Sequence, residues 1–225
     1  MITSHHNPLL KEIRRLGARR GEGRFLAEGE DLLAAADAAG WTPVHRLTAG
    51  VDVEADALAK VSTLGSGTRA LAVYEERWAP APAGPLCVCL WGLKDPGNVG
   101  TVLRAALAFG ASSVAIGPQT ADPYAPKAVR ASMGAVFGLP LARVADVGAL
   151  PGETVALAAR RGDVLRGPAA GDVSVVVGAE RDGLPADVLA ACDRAAHIPI
   201  QSESLNAAMA ATVALYELTA RFHAQ

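Results

Sequence analysis

From residue 86 onward the chain repeats one pattern: a short run of apolar residues, a polar loop, then a helical stretch. Leu86-Cys-Val-Cys-Leu-Trp91 is apolar at every position, and 113–117, 154–159, 173–177 and 195–200 are further runs of strand length. Runs without polar alternation predict strands covered on both faces. Helical patterns fill the intervals at 99–109, near 126–131 and 146–150, at 185–192 and at 204–222. Gly110 ends the first of them. Strands alternating with helices predict an α/β fold, a mostly parallel sheet with helices on both faces.

Residues 79–85, Ala-Pro-Ala-Pro-Ala-Gly-Pro, fit neither a helix nor a central strand and predict a linker. It separates a first segment, 1–78, from a second, 86–225. The first reads as a small α/β unit: helix 7–20, strand 24–28, helix 31–39, strand 43–48, helix 54–61 and strand 69–74. Its start is basic. Lys11, Arg14, Arg15, Arg19, Arg20 and Arg24 oppose only Glu12 and Glu22, although the whole chain carries −2. That asymmetry fits an anionic partner such as nucleic acid. It also fits a solvated amphipathic helix, because Leu9, Ile13 and Leu16 recur at helical spacing. No apolar run reaches the ~18 residues of a membrane span, and the first residues lack the apolar core of a signal peptide. Three cysteines cannot all pair, and Cys87 and Cys89 share one strand face. Buried packing in a reducing compartment accounts for them better than a disulfide framework or a metal site. A cytoplasmic protein without membrane or metal is expected.

In an open α/β sheet, ligands bind beyond the carboxyl ends of the strands. Three loops there carry polar residues that packing does not require. Lys94-Asp-Pro-Gly-Asn98-Val-Gly100 leads into a helix with Arg104. Asn98 is a helix cap or a site residue, and Arg104 a positioned cation or a side chain snorkelling at the helix edge. In Gly178-Ala-Glu180-Arg-Asp-Gly183-Leu184, Gly178 marks a close backbone approach, Gly183 permits a positive φ, and Glu180 points into the crevice. In Ile198-Pro-Ile-Gln-Ser-Glu203-Ser204-Leu205-Asn206, Pro199 marks a strand end or edge and Ser204 a cap for the last helix. Gly65-Ser-Gly67-Thr-Arg-Ala70 superficially fits a dinucleotide fingerprint, but a strand pattern follows it where a helix is required.

Taken together and in this order, the three loops resemble the motifs of the SpoU (TrmH) family of RNA 2′-O-ribose methyltransferases, in the SPOUT class. Asn98-x-Gly100-x(3)-Arg104 matches the first motif, Gly178-x-Glu180-x-x-Gly183-Leu184 the second, and Ile198-Pro199 with Ser204-Leu205-Asn206 the third. Arg130-Ala-Ser132-Met-Gly134 resembles the segment between the first two. The resemblance implies a C-terminal deep trefoil knot and S-adenosyl-L-methionine as cofactor. It implies methylation of a ribose 2′-hydroxyl in structured RNA, ribosomal RNA favoured over transfer RNA, by a homodimer in which both chains complete each site. By motif position, backbone at Gly178, Ile198 and Leu205 would hold the adenine end. Arg104 matches the catalytic arginine, with Asn98, Glu180, Ser204 and Asn206 positioning it and the ribose. A guanidinium keeps its proton above pH ~12, so a charged Arg104 that clamps a phosphate and stabilises a developing alkoxide is expected, rather than a general base. The first segment, through Asn7-Pro-Leu-Leu-Lys11 and Phe25-Leu-Ala-Glu28-Gly29, is similar to a substrate-binding domain with a ribosomal protein L30e fold. Lys11, Arg14, Arg15 and Arg19 would be its RNA-contacting face. Only Gln201-Ser-Glu203 separate Ile200 from Ser204, where the family's loop is usually longer and contains glycine. The alternative is an RNA-binding or ribosome-assembly factor of the same fold without transfer activity.

Overall fold

Asn7 and Pro8 start the first helix for local reasons. The Asn7 side chain accepts the Leu9 N–H (2.9 Å), and Pro8 takes the first helical position, where no N–H is needed. The structure, a computed structural model, describes residues 1–4, 6–18, 23–64 and 67–219. Its first elements are α1 (Pro8–Gly17), β1 (Arg24–Glu28), α2 (Glu30–Ala38), β2 (His45–Thr48), α3 (Ala55–Ala59) and β3 (Ala70–Glu75). The strands form an antiparallel sheet in the order β1-β3-β2. Neighbouring residues on a strand point to opposite faces. On one face Leu26, Leu47, Leu71 and Val73 pack with Leu10, Ile13 and Leu16 of α1 and Leu58 of α3. On the other, the paired Phe25 and Tyr74 meet Trp41.

The chain continues through β4 (Leu86–Leu90), α4 (Pro96–Ala108) and β5 (Ser113–Ile116), then α5 (Pro126–Ala131) and α6 (Ala135–Gly138). The compact unit that holds residues 1–76 also takes 122–138, which the sequence pattern had assigned to the second segment. The physical reason is the aromatic face of the small sheet. The rings of Tyr124 and Phe137 lie 4.7 and 5.8 Å from Phe25, and Trp41 Nε1 donates to the Phe137 carbonyl (2.9 Å). Residues 79–85 are bonded to the second unit: the Ala79 N–H donates to the Leu141 carbonyl (2.7 Å), and the Ala83 N–H to Ser113 Oγ (2.8 Å).

The second unit adds β6 (Leu141–Arg143), a 3-10 turn at Val147–Ala149, β7 (Glu153–Leu157), β8 (Asp163–Val164), β9 (Val173–Val177), α7 (Ala186–Ala191), β10 (Arg194–His197) and α8 (Ala207–Thr219). All its pairings are parallel, in the order β6-β5-β4-β9-β7-β10-β8. Every residue of β4, β5 and β9 is buried, as continuous apolar strands require. Cys87 and Cys89 pack on one face with Val147, Leu150 and Val188. Elsewhere α4 packs on β5, α8 on β9, and the two helices on each other. Near 146–150 the helical pattern yields only the 3-10 turn, while β6, α6 and β8 have no counterpart in the sequence reading. After β8 the chain passes the last turn of α8. The Ala169 N–H donates to the Leu218 carbonyl (3.1 Å), and the Gly167 N–H to the Glu217 carboxylate (2.9 Å).

Candidate active site

The order of the large sheet reverses at β4 and β9. From β4 the chain builds outward through β5 and β6, while β7, β10 and β8 lie beyond β9. The crevice beyond the carboxyl ends of such strands is where an α/β sheet binds ligands. Polar side chains meet there. The Asp95 carboxylate caps α4 by accepting the Gly97 N–H (3.0 Å), and Pro96 opens the helix. Asn98 is therefore inside the first turn and is not the cap. Its Nδ2 donates to Glu180 Oε1 (2.6 Å), and its Oδ1 accepts from Asn206 Nδ2 (3.2 Å). Asn206 Oδ1 in turn accepts the N–H groups of Ala208 (3.0 Å) and Met209 (3.2 Å). Asn206 thus caps α8, the role expected of Ser204, and the opposite end of the same amide reaches Asn98.

Glu180 is carried by a tight turn after β9. Ala179 and Gly183 exchange both backbone hydrogen bonds (3.1 and 3.0 Å), with Gly183 at φ 66°. Gly178 has no room for a side chain, since a Cβ would stand 2.5 Å from the Gly183 carbonyl carbon. The close approach expected at Gly178 is therefore to its own returning loop. Between this turn and the ends of β7 and β10 lies a cleft of about 370 Å³. Leu157, Val177, Gly178, Glu180, Ile198 and Leu205 are among its walls. The three positions expected to hold a cofactor, Gly178, Ile198 and Leu205, all line it, and Ser204 lines it too.

Arg104 is not part of the polar cluster. It is exposed on α4 and has no hydrogen-bond or ion-pair partner among the described residues. Six residues separate it from Asn98, about 9 Å along a helix axis. Lys11, Arg14 and Arg15 are exposed on α1, opposite its buried Leu10, Ile13 and Leu16. Arg19 lies outside the described residues, as do Gly65 and Ser66 of the glycine-rich stretch, and β3 begins at Ala70 where a dinucleotide fingerprint needs a helix. The sequence reading missed Asp95 as the α4 cap. A capping residue directly before a Pro-Gly helix start was the signal for it. Burial pushes the Cys89 thiol well above its ordinary pKa, and it raises Cys87 too, so both stay protonated in the apolar core. Among the described residues no group of three His, Cys, Asp or Glu side chains forms a metal site, and no helix is long and apolar enough to cross a membrane.

The SpoU rRNA Methylase family model matches residues 85–216. An uncharacterised tRNA/rRNA methyltransferase of Synechocystis sp. is 32% identical over 96% of this chain and 92% of its own length. A 23S rRNA (uridine(2479)-2'-O)-methyltransferase of Streptomyces viridochromogenes is 38% identical over 55% of this chain and 48% of its own. Among solved structures, the AdoMet-bound rRNA methyltransferase of Sinorhizobium meliloti superposes with a TM-score of 0.86 at 30% identity, covering 100% of this chain and 98% of that one.

Proposed function

Since this chain belongs to the SpoU rRNA methylase family, we propose that it methylates a ribose 2′-hydroxyl in structured RNA, ribosomal RNA before transfer RNA, with S-adenosylmethionine as donor. The observation that carries the proposal is the cleft beyond the carboxyl ends of β9, β7 and β10, joined through Glu180 to Asn98 and Asn206. Its volume of about 370 Å³ falls within the ~300–1,000 Å³ of small-ligand pockets. Apolar Leu157, Val177, Ile198 and Leu205 suit an adenine ring, and the Gly178 turn brings backbone to the wall.

The cofactor supplies a methyl group already activated on a sulfonium, so the protein's task is to orient the ribose and manage the hydroxyl. Glu180 Oε1 accepts from Asn98, and the second carboxylate oxygen has no partner among the described residues. In this reading that oxygen accepts a hydrogen bond from the 2′-hydroxyl. Arg104, charged and exposed, clamps an adjacent phosphate and stabilises the alkoxide as charge develops. Lys11, Arg14 and Arg15 form a cationic stripe at helical spacing for the RNA backbone.

An exposed apolar patch supports a homodimer that completes the site. Leu107 of α4 lies one turn beyond Arg104, and Met209, Val213 and Tyr216 form a stripe on α8, each at least 41% exposed. The Tyr216 ring packs edge-on against Phe109 (6.3 Å). Patches of this kind mark protein interfaces. A second copy there brings a partner surface beside Arg104. The bonds that tie 167–169 to the last turn of α8 support a trefoil knot.

Titration calorimetry with S-adenosylmethionine, run beside light scattering, tests the proposal. One cofactor per chain on a dimer is expected, with binding lost in Leu205→Trp, which fills the cleft. A wild-type chain that binds none favours an RNA-binding factor of this fold.

A further inference from the structure

Beside the strand ends of β7 and β10 and the turn after β9, Glu203, Ser204 and Leu205 form a third wall of the cleft. Ser202, the residue before them, does not line it. The Ser202 carbonyl accepts from Arg160 Nη2 (3.2 Å), and the Ser202 hydroxyl donates to the Ser204 carbonyl (3.3 Å). Arg160 does not line the cleft. It sits in the turn after β7 at φ 56°, a backbone region that L residues other than Asn and Asp seldom enter.

That turn is fastened to β10 at three points. The Ala158 N–H donates to the Ala196 carbonyl (2.9 Å), and His197 Nδ1 lies 3.2 Å from the Gly162 carbonyl oxygen. Gly162, at φ 72°, packs so closely on the Ala195 carbonyl that a Cβ would overlap it. An unusual backbone conformation persists where surrounding structure over-determines it, and such positions cluster at functional sites. The turn therefore presents the guanidinium from a base built into the sheet.

We propose that Arg160 is a positioning residue for the cofactor cleft. By holding the Ser202 carbonyl it fixes Glu203, Ser204 and Leu205 against the cleft, so the third wall is formed before ligand arrives. Pre-ordering a wall removes a cost that binding would otherwise carry. The inference rests on the cleft being the cofactor site.

The test is S-adenosylmethionine titration of wild type, Arg160→Ala and Arg160→Lys, with NMR order parameters for the backbone of 203–205 and amide hydrogen exchange for β7 and β10, on the same proteins without ligand. Arg160→Ala is expected to weaken cofactor binding about fivefold and raise KM similarly, with kcat at saturation unchanged. Order parameters of 203–205 should fall while the amides of β7 and β10 stay protected. Arg160→Lys, which keeps a cationic donor, should recover part of both effects. Unchanged affinity and unchanged order parameters of 203–205 in Arg160→Ala overturn the inference. Loss of protection spread through β7 and β10, with no rescue by lysine, also overturns it, because Arg160 is then a folding residue. A wild-type chain that binds no cofactor, with a 203–205 backbone that loosens in Arg160→Ala, overturns the cleft assignment and leaves the strut standing.

Discussion

Arg104 stands apart from the polar cluster of the site. Asn98 bonds both Glu180 and Asn206, whereas Arg104 faces solvent. A cation without an internal partner contributes little to folding, so turnover is where the role proposed for Arg104 is read. Replacing Arg104 by Ala should lower methyl transfer by about 10²–10³-fold, the scale of losing one transition-state donor, while cofactor affinity and thermal midpoint stay as in wild type. Lysine keeps the charge but not the planar fork and should restore only part of the rate. Single-turnover rates beside calorimetry check this, and near-normal turnover in the alanine variant removes Arg104 from catalysis. The loops betrayed these residues because polar side chains follow apolar strands where packing has no use for them. Arg160 gave no such sign: only its backbone conformation and its reach to Ser202 single it out, and neither is written in spacing.

Helix α8 has its cap and its link to the site in one side chain, so stability and activity can be separated there. Asn206→Ala removes the acceptor for Ala208 and Met209 and should cost about 1 kcal/mol, the usual worth of an N-cap. Asn206→Asp keeps that acceptor but loses the Nδ2 that donates to Asn98. Thermal melts should therefore place the aspartate variant near wild type and the alanine variant below it, with transfer reduced in both. Equal melting of wild type and Asn206→Ala refutes the cap. The longer elements were readable from the chain because their apolar patterns persist over several residues. Strands β6 and β8, three and two residues long, carry too little pattern to be seen, and they take their place only by pairing with β5 and β10. The start of α4 at Pro96 rather than Val99 reflects a cap whose strength lies in the Asp95–Gly97 bond, not in hydrophobic period.

On the scale of the whole molecule, the alternation of strands with helices predicts the parallel sheet but not its order. Periodicity tells that a strand is buried on both faces and leaves open which neighbour covers it. The same limit explains residues 122–138. Sequence pattern does not say which sheet Tyr124 and Phe137 cover, and only the aromatic face built by Phe25, Trp41 and Tyr74 decides it. The molecule brings its three motif loops together although they stand far apart in sequence: Asn98, Glu180 and Asn206 come from the starts of two helices and the turn after β9. This convergence beside a ligand-sized cleft is what makes ribose methylation the function the geometry supports best. The most direct measurement is transfer of a radiolabelled methyl group from S-adenosylmethionine to ribosomal RNA from cells lacking this protein, followed by alkaline hydrolysis. A methylated 2′-hydroxyl cannot attack its neighbouring phosphate, so the label should remain in an alkali-resistant dinucleotide, and Arg104→Ala should slow its appearance by about 10²–10³-fold. Label recovered in single nucleotides would place the methyl group on a base and contradict the account, as would absence of transfer to ribosomal and transfer RNA by a chain saturated with cofactor.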